Sequence, residues 1–202
     1  MKHPRTSLCL LLLLSLAIPA LAQRKADDDR GHYYAPLREV EMEFKDFTFR
    51  TPQGGALNLR EAAKGKKLVL VHYFAAWCHN SNYDVATVNQ LYNRYRDQGL
   101  LVIGVCEYSR NDELKEFIAR HKPDYPICIE GDEKKKDRTG TSHYAYRKQV
   151  DDQRLWGTPL NIILTEELGG EGEVAATRVR AAPGEMIKTE IEELIREMVR
   201  KK

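Results

Sequence analysis

The sequence predicts one α/β domain built on a mixed central β-sheet flanked by helices. Three apolar runs of strand length, Leu68–Ala76, Leu100–Cys106 and Leu160–Leu164, are rich in β-branched and aromatic residues, as suits strands buried on both faces. Between the first two, Val85, Val88, Leu91, Tyr92 and Tyr95 recur at helical spacing. Strand, helix, strand is a βαβ unit with parallel strands. After the third run, a glycine-rich connection at Gly169–Gly172 leads to Val174–Val179, which reads as an antiparallel partner and makes the sheet mixed.

The remaining elements follow in chain order. Residues 1–22 read as a secretory signal: Lys2 and Arg5 are basic, Leu8–Ile18 is apolar, and Ala20-Leu21-Ala22 offers a small-residue cleavage site. The apolar stretch is short for a bilayer span. A secreted or periplasmic location is expected, with an uncleaved anchor as the alternative. Residues 23–38 are polar, centred on Asp27-Asp28-Asp29-Arg30, and are expected to form a flexible leader. The domain proper then runs over 39–202, with no other stretch of transmembrane length.

From Glu39 to Arg50 apolar and polar residues alternate as in a strand, and Gln53-Gly54-Gly55 is a turn signal. Leu57, Leu59 and Ala62 lead into a short helix ending near Gly65, and Gly99 is placed to end the first long helix. Asn111 opens a helix with Leu114, Phe117 and Ile118 inward, closed by His121-Lys122-Pro123. Tyr125–Ile129 is a short strand. Gly131–Gly140, with three consecutive lysines, is a charged surface loop, and Thr141 or Ser142 caps a helix running to Val150. A last helix, from about Gly184, places Ile187, Ile191, Leu194, Ile195 and Met198 on one face.

Composition excludes several functions. The net charge is +2, from 32 basic and 30 acidic residues interspersed along the chain, which argues against a nucleic-acid partner. There is no glycine-rich phosphate loop and no Cys/His spacing of a zinc site, so neither cofactor nor metal is expected. Outside the signal stand Cys78, Cys106 and Cys128. An odd count does not make a disulfide framework, so each thiol is either buried and inert or reactive.

Cys78 is the candidate nucleophile. The first apolar run stops at Trp77-Cys78, and His79-Asn80-Ser81-Asn82 opens the helix at once. Unpaired N–H groups and the positive end of the helix dipole stabilise an anion there, so the thiol is expected to react as a thiolate. The alternative is a buried structural cysteine.

Strand, Trp-Cys, two residues and helix together resemble the thioredoxin superfamily, and more narrowly its secreted TlpA/ResA-like branch, whose motif is W-C-x-x-C. The stretch Asp46–Lys66, with Asp46-Phe47, Phe49, Thr51, Gly54-Gly55 and Gly65-Lys66, is similar to that branch's opening. Here the motif is Trp77-Cys78-His79-Asn80-Ser81, a CxxS form in which Ser81 replaces the resolving cysteine. The resemblance implies a thioredoxin-like fold, and a cis Thr158–Pro159 bond facing the Cys78 sulfur. Backbone beside that proline would pair with a client peptide by strand addition.

The other candidates carry two readings each. Ser81 can hydrogen-bond the thiolate or be an ordinary first-turn serine, but it cannot attack a mixed disulfide. His72, six residues before Cys78, matches the buried acid of thioredoxin and can shuttle a proton or simply pack in the strand. Asp84 matches an acidic position that ResA-like proteins place near their thiols, and a first-turn carboxylate stabilises a helix in any case. His79, if protonated, favours the thiolate. Cys106 closes the neighbouring strand and is a candidate resolving thiol, with buried inert cysteine as its other reading; Cys128 is a weaker candidate of the same kind. A peroxiredoxin would carry Thr where Ala75 stands, and Trp77 departs from that pattern too.

Two functions are therefore open. One is a secreted thiol–disulfide oxidoreductase or isomerase using Cys78 alone through a mixed disulfide, released by client thiols, glutathione or Cys106. The other is a binding module that captures client or partner proteins without turnover.

Overall fold

The computed structural model describes residues 27–28, 31–131, 138–165, 168 and 172–200. The expected signal, the three lysines at 134–136 and most of the Gly169–Gly172 connection lie outside them. The strands are β1 (Asp27–Asp28), β2 (His32–Ala35), β3 (Arg38–Lys45), β4 (Thr48–Arg50), β5 (Ala56–Asn58), β6 (Leu68–Phe74) and β7 (Leu100–Cys106), then β8 (Ile127–Ile129), β9 (Leu160–Leu164), β10 (Val174–Ala182) and β11 (Glu185–Met186). The helices are α1 (Leu59–Ala63), α2 (His79–Tyr95), α3 (Asn111–His121), α4 (Ser142–Gln149) and α5 (Lys188–Arg200).

Eight strands form one mixed sheet in the order β3-β10-β9-β6-β7-β8-β4-β5. β6 and β7 are parallel with Leu68 opposite Leu100 and Phe74 opposite Cys106. β9 runs antiparallel to β6, with His72 opposite Asn161 and Tyr73 opposite Leu160. Every residue of β6, β7 and β9 is buried, because helices and the β3–α1 region cover the two faces. Alternation sorts the side chains. Leu68, Leu70 and Phe74 pack toward α2, α3 and α5 through Val85, Leu91, Phe117 and Ile191. Val69, Val71 and Tyr73 pack on the other face with Phe44, Leu59 and Tyr146. Each such aliphatic or aromatic side chain contributes roughly 1.5–3 kcal/mol on burial, so the three central strands anchor the domain.

Three regions differ from the sequence expectation. The alternating run Glu39–Arg50 is two strands, β3 and β4, on opposite halves of the sheet, because the chain turns at Asp46-Phe47 between them. Residues 32–35, within the expected flexible leader, form β2, which pairs parallel with β11 through Tyr34–Glu185 and Ala35–Met186. His32 and Ala35 are buried there. The last helix begins at Lys188 instead of about Gly184, because Glu185 and Met186 are held in that strand pair. Gly184 is required at its position: it has φ +156°, and a Cβ would stand 2.7 Å from the Tyr33 carbonyl oxygen. A bare backbone lets β2 pass that close. Among the described residues no helix is long and apolar enough to cross a membrane.

Candidate active site

The end of β6 delivers Cys78 to the capping position just before a helix. The Cys78 N–H donates to the Ala75 carbonyl at 3.0 Å, and the Asn82 N–H donates to the Cys78 carbonyl at 3.0 Å. Cys78 is therefore the N-cap of α2, in extended conformation, and its side chain makes no cap bond. That leaves the sulfur available elsewhere: the thiol donates to the Thr158 carbonyl across 3.4 Å. The Thr158–Pro159 bond is cis and leads directly into β9. Cys78 is half-buried, whereas Cys106 and Cys128 are fully buried. All three are free thiols.

The motif neighbours are held one by one. Trp77 donates its Nε1–H to the Tyr108 carbonyl at 2.8 Å and meets Trp156 edge to face with centroids 5.3 Å apart. Ser81 is fully buried, and its Oγ accepts the Ala75 N–H at 3.4 Å. Its recorded partner is thus the strand end that carries the cysteine, as the ordinary reading of a first-turn serine would have it. Asn82 donates to the Ala76 and Cys78 carbonyls, both at 2.8 Å, so its Oδ1 accepts from His121 Nε2 at 2.7 Å. Asn80 is half-buried. His79 is exposed, with its ring stacked on His32 at 5.1 Å. His32 in turn lies 3.8 Å from the Tyr83 ring and bonds Glu185 Oε1 at 3.0 Å. The N-terminal strand thereby packs against the first turn of α2, next to Cys78 in sequence.

His72 and Asp84 are brought together, with Asn161 between them. The Asn161 amide NH2 donates to Asp84 Oδ2 at 2.9 Å and to the Gly184 carbonyl at 3.0 Å. Its oxygen must then accept from His72 Nδ1, 2.8 Å away. Asp84 Oδ1 accepts the Met186 N–H at 3.1 Å. Burial lowers the His72 pKa, and the nearby Asp84 carboxylate only partly opposes it. A neutral imidazole that donates from Nδ1 carries a bare lone pair on Nε2, and that atom is buried without a hydrogen-bond partner. Burial likewise raises the Asp84 pKa against the pull of His72.

Cys106 and Cys128 lie elsewhere in chemical terms. Burial pushes the Cys106 thiol up to about 12, and it pushes Cys128 higher still, with the Glu107 and Glu130 carboxylates adding to the effect. Neither thiol is exposed, and both environments disfavour the thiolate.

A second set of residues at the site carried no signal in the sequence. The Tyr108 hydroxyl bonds His143 Nδ1 at 2.8 Å, and His143 Nε2 bonds the Gly157 carbonyl at 3.2 Å. A carbonyl only accepts, so His143 is the neutral Nε2–H tautomer; burial takes its pKa down to about 3. Arg154 donates to three successive carbonyls, Gly157 at 3.0 Å, Thr158 at 3.3 Å and Pro159 at 3.0 Å. Gly157 has φ +67°, and a Cβ there would stand 2.5 Å from Arg147 Nε and 2.7 Å from Asp152 Oδ2. Only glycine admits that ion pair against the loop. Each of these contacts is tertiary, and no local pattern announces it.

Among the described residues no group of His, Cys, Asp and Glu is arranged to hold a metal ion.

Comparison with known proteins places this geometry. Residues 40–153 match the family described as AhpC/TSA family. A Citrus sinensis protein named probable phospholipid hydroperoxide glutathione peroxidase is 32% identical over 90 residues, covering 41% of this chain and 53% of the relative. Thiol-disulfide oxidoreductase ResA of Bacillus thuringiensis is 23% identical over 92 residues, covering 46% of this chain and 52% of that one. The chain thus spans about half the length of the curated relatives it matches. The thioredoxin domain of a Bacteroides vulgatus thiol-disulfide oxidoreductase superposes with a TM-score of 0.55 at 18% identity, over 77% of this chain and 97% of that structure. That likeness shows a thioredoxin-like fold.

Proposed function

The chain belongs to the AhpC/TSA family, and on that premise we propose that it is a secreted or periplasmic thiol–disulfide oxidoreductase or isomerase acting through Cys78 alone. The observation that carries the reading is the contact between the half-buried Cys78 sulfur and the Thr158 carbonyl. It puts the one thiol with solvent access, among the described residues, at the start of a helix and beside the backbone that leads into β9. The Cys78 thiolate attacks one sulfur of a client disulfide, forming the Cys78–client disulfide and releasing the other client sulfur as thiolate. A second thiol, from the client or from glutathione, then attacks the mixed disulfide and returns Cys78. Such a cycle exchanges disulfides and leaves the protein itself unoxidised, which is isomerase or deglutathionylation chemistry.

Ser81 has no thiol, and Cys106 is fully buried with its thiol pushed up to about 12, so the resolving thiol comes from outside. His72, its Nδ1–H held by Asn161 and its Nε2 bare, is the group that takes and returns a proton in the core, and Asp84 sets its tautomer through the same amide. The name of ResA describes thiol–disulfide chemistry for that protein, and the reading extends it here. Ser81, seated on the Ala75 N–H, also suits a module that traps client proteins covalently or without turnover.

One experiment separates these readings. The mature protein is incubated with a glutathionylated peptide and excess glutathione, and turnover and the mass of the protein are followed. Catalysed release through a transient Cys78 adduct, lost in Cys78→Ala, supports the oxidoreductase. A stoichiometric adduct without turnover supports the trap, and no adduct at Cys78 removes both.

A further inference from the structure

Three carbonyl oxygens in succession, those of Gly157, Thr158 and Pro159, converge on the Arg154 guanidinium. The middle one is also the oxygen that the Cys78 thiol faces. While the sulfur carries its proton, the contact is a hydrogen bond. Once the proton leaves, the same geometry sets a thiolate against a carbonyl dipole pointing its negative end at it, which is repulsive. Something must offset that oxygen, and Arg154 is bonded to it.

The guanidinium is fixed on three sides. Asp152 holds it in a two-point pair, Nε to Oδ1 at 2.9 Å and Nη2 to Oδ2 at 2.8 Å, a geometry that Arg makes and Lys cannot. Asp152 also accepts the Arg154 backbone N–H at 3.0 Å, so residue and carboxylate are locked into one turn. From the N-terminal strand, the Tyr33 ring lies 5.0 Å from the guanidinium carbon, within cation–π range. A second cation, Arg147, stands 3.9 Å from the same carboxylate. Two guanidinium groups share one carboxylate, and His143 beside them is neutral. Arg138 adds a third guanidinium, bonded to the same Leu155 carbonyl as Arg147, so positive charge is in excess around Asp152, and Arg147 and Asp152 are almost entirely removed from water.

We propose that Arg154 is a positioning residue for the thiol chemistry: it fans the Gly157–Thr158–Pro159 carbonyls and places a weakly screened positive charge on the oxygen facing Cys78, so that the deprotonated sulfur is tolerated there. The inference rests on the reading of Cys78 as the reacting group. The charge comes from a residue 76 positions away in sequence and is held by a segment, Asp152–Arg154, that belongs to neither helix nor strand.

The test is the rate at which native protein is alkylated at Cys78 by neutral iodoacetamide at pH 7, in wild type, Arg154→Met and Arg154→Lys. Arg154→Met is expected to slow alkylation tenfold or more. Arg154→Lys keeps the charge without the fork and is expected to fall between, two- to fivefold below wild type. A purely structural residue would not be rescued by lysine, and unfolded protein should show one rate for all three chains. Alkylation of Arg154→Met within twofold of wild type overturns the proposal, and so does Arg154→Lys no faster than Arg154→Met. Should Arg154→Met fail to fold, Arg154→Lys decides alone, and a rate equal to wild type overturns it. Failure of the underlying reading looks different: wild-type Cys78 itself would then be unreactive in the folded protein.

Discussion

The Cys78 thiol donates to the Thr158 carbonyl across 3.4 Å, joining two segments 80 residues apart. That bond is where the end of β6, the start of α2 and the approach to β9 meet. It also distinguishes the three cysteines, since only Cys78 is both accessible and turned toward a backbone segment.

The first prediction concerns thiol access. In native protein Cys78 should react with a maleimide or an aromatic disulfide reagent, while Cys106 and Cys128 react at least about a hundredfold more slowly, at the rate of opening of the fold. Peptide mapping after timed quenching reads this directly. Equal labelling of Cys106 in folded protein would restore it as a resolving thiol.

Replacing the serine tests the monothiol mechanism. Ser81 sits three residues after Cys78, one turn into α2, and a hydroxyl does not attack sulfur at neutral pH. Ser81→Cys should shorten the life of the Cys78 adduct and raise insulin-type disulfide reduction at least about tenfold. Wild-type protein that already matches the variant would mean that another internal thiol resolves it.

Buried neutral His143 makes the protein acid-sensitive. Its pKa falls from 6.5 to about 3 on folding, so the unfolded chain binds the extra proton first. Stability is full above about pH 6.5 and is lost as pH drops toward the folded value, by roughly 3 kcal/mol at pH 4 from this group. His72, also lowered by burial, acts with the same sign. Denaturant unfolding at pH 7 and pH 4 should show a smaller loss for His143→Gln than for wild type; coincident losses would mean His143 is not held neutral.

Glu107 has the opposite sign. It is fully buried, and burial, followed by the hydrogen bond and charge of the neighbouring Glu130, raises its pKa well above 4.5. Its contribution is present at low pH and is lost as pH climbs above the unfolded value toward the folded one. Glu107→Gln should therefore stabilise the protein by roughly 1–3 kcal/mol at pH 8 and by less at pH 5. A gain independent of pH would show that ionisation plays no part.

Asn161 links His72, Asp84 and the Gly184 carbonyl. Asn161→Leu leaves three buried polar groups unpaired and should cost roughly 2–4 kcal/mol, read as a shift in the denaturation midpoint. A loss under about 1 kcal/mol would mean these groups find other partners.

Local pattern sufficed for the strands and for the position of Cys78 at a helix start. The apolar runs at 68–76, 100–106 and 160–164 became β6, β7 and β9, because a strand buried on both faces needs no partner to declare itself: its own side chains do so. Cys78 was legible for the same reason, since the change from apolar run to polar helix start is written in consecutive residues. What stands opposite those residues was not legible. Whether Cys106 is covered, which side chain faces His72, and what bonds the Thr158 oxygen all depend on register and on segments far away in sequence. Arg154 lies in a short polar stretch without periodicity, and Tyr33 in what reads as a leader, yet the Asp152 pair and the Gly157 backbone bring Arg154 to the carbonyl that faces the thiol, and the β2–β11 pairing brings Tyr33 to Arg154. Periodicity reports which face of an element avoids water. Only the packed chain decides which charge or hydrogen bond waits on the other side, because those energies fall off within a few ångströms and exist only between neighbours in space.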